Sequence, residues 1–115
     1  MYKIYHNPRC KKSCEGLKYL QDKKVETEVI KYLETGLSIP ILKDILLKSN
    51  KKPIELVRTQ EEYFKKELKG KQFTDQEWLK IIVENPKLLQ RPIVLGKYKA
   101  VLAHPASKID EVLKP

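Results

Sequence analysis

What most limits the possible folds of this chain is the order in which its residue periodicities change. Residues 3–5 read as a short strand. Residues 11–22 place Cys14, Leu17, Tyr19 and Leu20 on a rough helical face, and residues 25–33 return to strand character through Val25, Thr27, Val29 and Ile30. Glu34-Thr35-Gly36 reads as a turn. Ser38 is placed to cap a helix running to about residue 49, with Pro40 tolerated in its first turn and Ile41, Leu42, Ile45 and Leu46 as its apolar set. The middle of the chain is helical throughout. Residues 53–57 suit a short helix, Thr59 with Glu62 and Thr74 with Glu77 are spaced as capping boxes, and the second leads into Trp78, Ile81 and Ile82 before Pro86. Leu88 and Leu89 suit another short turn. Residues 92–95 then form an apolar strand, Gly96-Lys97 a hairpin turn and residues 98–102 its partner; Pro105 opens a last helix with Ile109, Val112 and Leu113 on one face. The order βαβα, helical block, ββα predicts an α/β sandwich around a mixed four-stranded sheet, with helices inserted between its halves. Gly16 costs its helix ~1 kcal/mol relative to alanine, which predicts close packing there.

A chain of 115 residues with 41% hydrophobic content supports one core, so a single domain spanning 1–115 is expected, with a helical insert at about 38–90. No apolar run exceeds the four residues 100–103, too short to span a bilayer, and residues 1–5 lead straight into structure without a signal-peptide pattern. Two cysteines four positions apart make no disulfide framework. A cytoplasmic location is the default expectation, and nothing demands more than a monomer. Net charge is +9, but 21 of the 24 basic residues are lysines spread over every segment. No basic stripe interleaved with aromatics appears, which argues against nucleic-acid binding. The arginines number only three, Arg9, Arg58 and Arg91, and arginine is the side chain suited to bidentate oxyanion binding.

Cys10 carries the clearest chemical signal. It follows His6-Asn7-Pro8-Arg9 at a strand-to-helix turn, where unpaired backbone N–H groups and the positive end of the helix dipole converge. Both favour the thiolate, the nucleophilic form of cysteine. A buried structural thiol is the other reading. The basic residues His6, Arg9, Lys11 and Lys12 around Cys10 favour the reactive one.

The strand order with a reactive cysteine after the first strand resembles the thioredoxin fold. His6-Asn7-Pro8-x-Cys10, the Val57-Arg58 segment and Gln90-Arg91-Pro92-Ile93-Val94 together resemble the glutaredoxin-coupled arsenate reductase family, which shares its fold with the Spx-type transcription regulators. The resemblance covers essentially the whole chain. It implies that Cys10 attacks arsenate or a similar oxyanion, that His6 helps lower the Cys10 pKa, and that Arg58 and Arg91 hold the oxyanion. Lys11, Lys12 and Ser13 at the helix start would offset the repulsion between two anions. It implies glutathione as co-substrate with glutaredoxin as partner, no bound cofactor, and a cis peptide bond before Pro92. For Arg58 and Arg91 surface ion pairing, for instance with Glu61 or Glu62, is the competing reading; for Pro92, a trans proline at a strand start.

Three departures from the family pattern stand out. His104 occupies the place of a third arginine, so a possible third oxyanion contact is only partly charged near neutral pH. Cys14 stands where the reductases usually carry arginine, and Ser13 stands where the Spx-type Cys-x-x-Cys switch has its second cysteine. Cys14 is either a resolving cysteine for an oxidised Cys10 or a half-buried residue packed on the sheet; regular helix geometry favours the latter. His6, Cys10 and Cys14 follow no zinc-site spacing, so no metal is expected. The leading expectation is an arsenate-reductase-like thiol oxidoreductase. A generic glutathione-dependent thiol reductase and an Spx-like regulator binding RNA polymerase are the alternatives.

Overall fold

A computed structural model describes residues 1–113. The chain divides into two compact units, Met1–Thr35 with Arg91–Pro115, and Gly36–Gln90. The first unit holds a four-stranded mixed sheet in the order β2-β1-β3-β4. Strand β1 (Tyr2–Tyr5) leads to helix α1 (Lys11–Asp22) and then to β2 (Thr27–Ile30), which pairs parallel to β1. Strand β3 (Ile93–Leu95) lies antiparallel to β1, with Ile4 opposite Val94, and β4 (Ala100–Leu102) lies antiparallel to β3. This is the mixed, thioredoxin-like sheet expected from the element order.

Strand β2 is shorter than the predicted residues 25–33. Its partner β1 offers four residues, and the last contact is the His6 N–H donating to Ile30 O at 2.9 Å. With no further β1 backbone to pair, the chain turns into the short helix α2 (Tyr32–Thr35), in which Lys31 O accepts from the N–H groups of Glu34 and Thr35. The β3–β4 turn falls one residue later than Gly96-Lys97: Leu95 pairs with Ala100 and Gly96 N–H donates to Lys99 O, so Lys97-Tyr98 form the two-residue loop.

One face of the sheet carries the core of this unit. Ile4 and Val94 project from adjacent strands onto Leu20 of α1, Ala103, and Ile109 and Val112 of the C-terminal segment. That segment is a 3-10 turn (Ala106–Ile109) running into α5 (Asp110–Leu113). Tyr19 Oη donates to Asp110 Oδ1 at 2.8 Å and ties α1 to it. Gly16 is explained by proximity: a Cβ placed there would lie 2.7 Å from Pro92 Cγ and 3.9 Å from the Ala103 Cβ. The Arg91–Pro92 peptide bond is cis, as is His104–Pro105.

The second unit is helical. Helix α3 (Ile39–Ser49) begins as predicted, with Ser38 Oγ accepting from the Ile41 N–H, and ends on Asn50 in the left-handed region. A 3-10 turn (Pro53–Leu56) and a π-helix (Phe64–Leu68) precede α4 (Asp75–Glu84). The Thr74–Glu77 capping box forms, with bonds of 3.1 and 2.8 Å. The predicted Thr59–Glu62 box does not. Arg58 O accepts from Glu61 N–H in a turn, and helical backbone starts only at Glu62, so Thr59 is not placed as its N-cap. Helix α4 packs on α3, and Leu42 and Ile45 of α3 and Leu79 and Ile82 of α4 are buried, while Trp78 takes Phe73 edge-on at 4.9 Å and Phe64 stacked at 6.5 Å. A 3-10 turn (Pro86–Leu88) ends the unit. Val57 pairs antiparallel with Leu89, and Gln90 N–H donates to Leu56 O.

Replacing Gly16 with alanine forces a methyl group against a rigid pyrrolidine ring. Overpacking of that kind costs about 1–3 kcal/mol, against a gain of up to ~1 kcal/mol in helix propensity. The urea midpoint of Gly16→Ala is expected below wild type; a higher midpoint would mean that the ring gives way.

Candidate active site

The loop between β1 and α1 is built by backbone chemistry the sequence supplies directly. Asn7-Pro8-Arg9-Cys10 is a tight turn in which Cys10 N–H donates to Asn7 O at 3.0 Å, with proline at the position that favours its fixed φ. Asn7 Oδ1 accepts from the Arg9 N–H at 3.0 Å. The turn delivers Cys10 to the N-cap of α1 in an extended conformation (φ −103°, ψ 122°). Cysteine is a poor N-cap; the Ser13 and Lys12 N–H groups lie near enough to its sulfur to favour the thiolate without closing a full capping hydrogen bond. Lys11 and Lys12 follow, with no acidic residue in the first turn, so two cations sit where the helix dipole disfavours them by about 0.3–1 kcal/mol each. A helix start with no full side-chain cap and two cations in its first turn favours negative charge there, and a thiolate at Cys10 would supply it.

Cys10 is half-buried and free. Burial is the largest single influence on its ionisation and opposes it. The Ser13 N–H, the hydrogen bond and charge of Arg91, and the Lys12 N–H together outweigh burial, and the Cys10 pKa falls below its ordinary value. The site residues Cys10, Lys12, Ser13 and Arg91 are thus brought together within the first unit. Lys11 and Arg9 are exposed beside them.

Ser13 is fully buried, and its Oγ lies 2.7 Å from His6 Nδ1 and accepts from the Asn7 N–H at 2.9 Å. His6 therefore acts differently from the cation the sequence suggests. Desolvation lowers its pKa, a bond with Ser13 works the other way, and the charge of Lys31 lowers it further. The net direction is toward the neutral imidazole. It holds the serine whose backbone N–H faces the sulfur.

Cys14 is exposed, not half-buried on the sheet, and its thiol donates to Pro8 O at 3.3 Å. Arg58 lies in the second unit, where its guanidinium is ion-paired with Glu61, the competing arrangement that sequence reading had raised. His104 is exposed at the end of β4, with its N–H donating to Leu102 O. Asn7 and Pro8 were not singled out for roles of their own, although an Asn-Pro pair is itself a turn signal. Among the described residues no group of His, Cys, Asp or Glu is arranged to hold a metal ion. No helix among them is long and apolar enough to cross a membrane.

Two measurements follow. The midpoint of Cys10 alkylation against pH should lie below the ~8.5 of a free thiol, and Arg91→Gln should move it upward by removing one cation. For His6, the folded-state pKa is below the unfolded value of 6.5, so the stability it contributes is present above pH 6.5 and is lost as pH falls through the folded value. Between pH 7.5 and 5.5 the urea midpoint of wild type should fall more than that of His6→Gln.

Comparison with known proteins gives the family. The family model described as ArsC family matches residues 5–112. The chain is 38% identical over 113 residues to the uncharacterized protein YfgD of Escherichia coli K12, covering 96% of this chain and 95% of that one. It is 36% identical over 113 residues to the arsenate reductase of Neisseria meningitidis serogroup A, covering 96% and 97%. The solved structure of arsenate reductase from Vibrio cholerae superposes with a TM-score of 0.90 at 34% identity, covering 96% of each chain. With the match running from the end of β1 into α5, this chain belongs to the ArsC family.

Proposed function

We propose that this protein is an arsenate reductase in which the Cys10 thiolate is the nucleophile and glutathione, coupled through glutaredoxin, is the reductant. The observation that carries this reading is the convergence on one sulfur of the Lys12 and Ser13 N–H groups and the Arg91 side chain. The same donors that hold the thiolate suit a tetrahedral oxyanion delivered to it. Backbone N–H groups at a helix start and a guanidinium are the elements that bind phosphate-like anions.

In the first step Cys10 Sγ bonds to the arsenic of arsenate, and one arsenate oxygen leaves as water after taking a proton from solvent. Negative charge on the remaining oxygens is stabilised by the N–H groups and by Arg91, which are held in place before the reaction begins. Two electrons from thiols then convert arsenic(V) to arsenic(III), which leaves as arsenite. The relatives named arsenate reductase support the substrate, and the loop chemistry supports the nucleophile.

Arsenite formation from arsenate, glutathione and glutaredoxin tests the reading. Cys10→Ser is expected to abolish it. Arg91→Ala removes a charged hydrogen-bond donor worth about 1.5–3 kcal/mol, so kcat/KM is expected to drop by roughly 10- to 150-fold. Wild-type protein that yields no arsenite with these donors would refute the substrate assignment.

A further inference from the structure

We infer that Cys14 is the resolving thiol for Cys10: it attacks the sulfur of the Cys10–arsenic adduct and expels arsenite, so the first two electrons come from α1 itself. The inference rests on the arsenate reductase reading and adds the path the electrons take.

Four observations carry it. Both thiols are free, and Cys14 is exposed while Cys10 is half-buried. They are separated by a single helical turn, with Cys14 N–H donating to Cys10 O at 3.0 Å, and positions so related lie ~6 Å apart at Cα, inside the range a disulfide spans. The Cys14 thiol leans back toward the start of the helix and donates to Pro8 O in the very loop that presents Cys10. Finally, the geometric objection to bridging two residues of one helix applies to two helical backbones. Cys10 has φ −103° and ψ 122°, so its Cβ direction is not set by the helix.

The step balances. The Cys14 thiolate forms a bond to Cys10 Sγ, and the Sγ–As bond breaks with its electron pair remaining on arsenic. Arsenic passes from +5 to +3, and the two cysteines are oxidised together by two electrons to one disulfide. The proton released by the Cys14 thiol goes to an oxygen of the departing arsenite. Regeneration then needs an external thiol such as glutathione. The exposed Cys14 sulfur is the accessible one to attack, and Cys10, held as a thiolate by α1 and Arg91, is the better leaving group. Glutathione on this path reduces a disulfide and does not act on arsenic.

The test uses full-length protein, fully reduced and freed of external thiol, mixed with excess arsenate. One equivalent of arsenite per chain is expected, together with loss of both free thiols and a mass lower by two hydrogens. Peptide mapping should place the link between Cys10 and Cys14. Cys14→Ser should give less than one-tenth of that arsenite while keeping the wild-type circular dichroism spectrum. In parallel, wild type is assayed with glutathione and glutaredoxin. Turnover there combined with no thiol-free arsenite, or with equal thiol-free arsenite from Cys14→Ser, overturns the resolving role and leaves the reductase reading standing. No arsenite in either assay overturns both, and a disulfide between two chains in place of the internal one overturns the inference alone.

Discussion

The hydroxyl of Ser13 is the contact on which the site depends. It is buried without exposure to solvent, receives the Asn7 N–H and meets His6 Nδ1. Those two bonds join the end of β1 and the start of the loop to the first turn of α1. Because they are made away from water, breaking either would leave a buried polar group unsatisfied, at about 1–3 kcal/mol. With loop and helix joined, the Ser13 N–H has a fixed direction, and the sulfur of Cys10 sits where that direction points. The lowered Cys10 pKa is in this sense a product of packing at position 13.

A second constraint acts from beneath. Gly16 lets α1 approach the ring of Pro92 closely, and Arg91, the residue before that proline, is the cation that reaches Cys10. The helix that supplies the N–H groups and the strand entry that supplies the guanidinium are brought together by the missing side chain at position 16. The lysines at positions 11 and 12 oppose the helix dipole, and helix stability alone gives no reason for them. Local rules are most often broken where a site needs the strain.

Much of this was legible in the residues. The cysteine at a strand-to-helix turn, the Thr74–Glu77 box, the Ser38 cap and the paired strands around residues 93–102 each rest on local spacing, and local spacing is what a sequence displays. What stayed hidden depends on partners distant in the chain. The end of β2 is decided by the length of β1, to which Val25–Leu33 carry no reference. The His6 charge state follows from burial, and a histidine among arginines and lysines reads as a cation until its burial is known. Arg58 satisfied both of its candidate roles on paper, and its ion pair with Glu61 appears only once the turn at residues 58–61 is formed. Spacing alone puts Cys14 on a regular helix facing the sheet, because nothing local announces that its neighbour at position 10 leaves the helical backbone.

The single tryptophan of the chain has a consequence for how the molecule is followed in solution. Trp78 lies in the helical unit between Phe64 and Phe73, whereas Cys10 belongs to the unit built on the sheet. Indole emission therefore reports the melting of one unit and thiol accessibility that of the other. Their transition curves coincide only if the two units unfold cooperatively, so this chain carries a native pair of probes for asking whether its insert is an independent folding module.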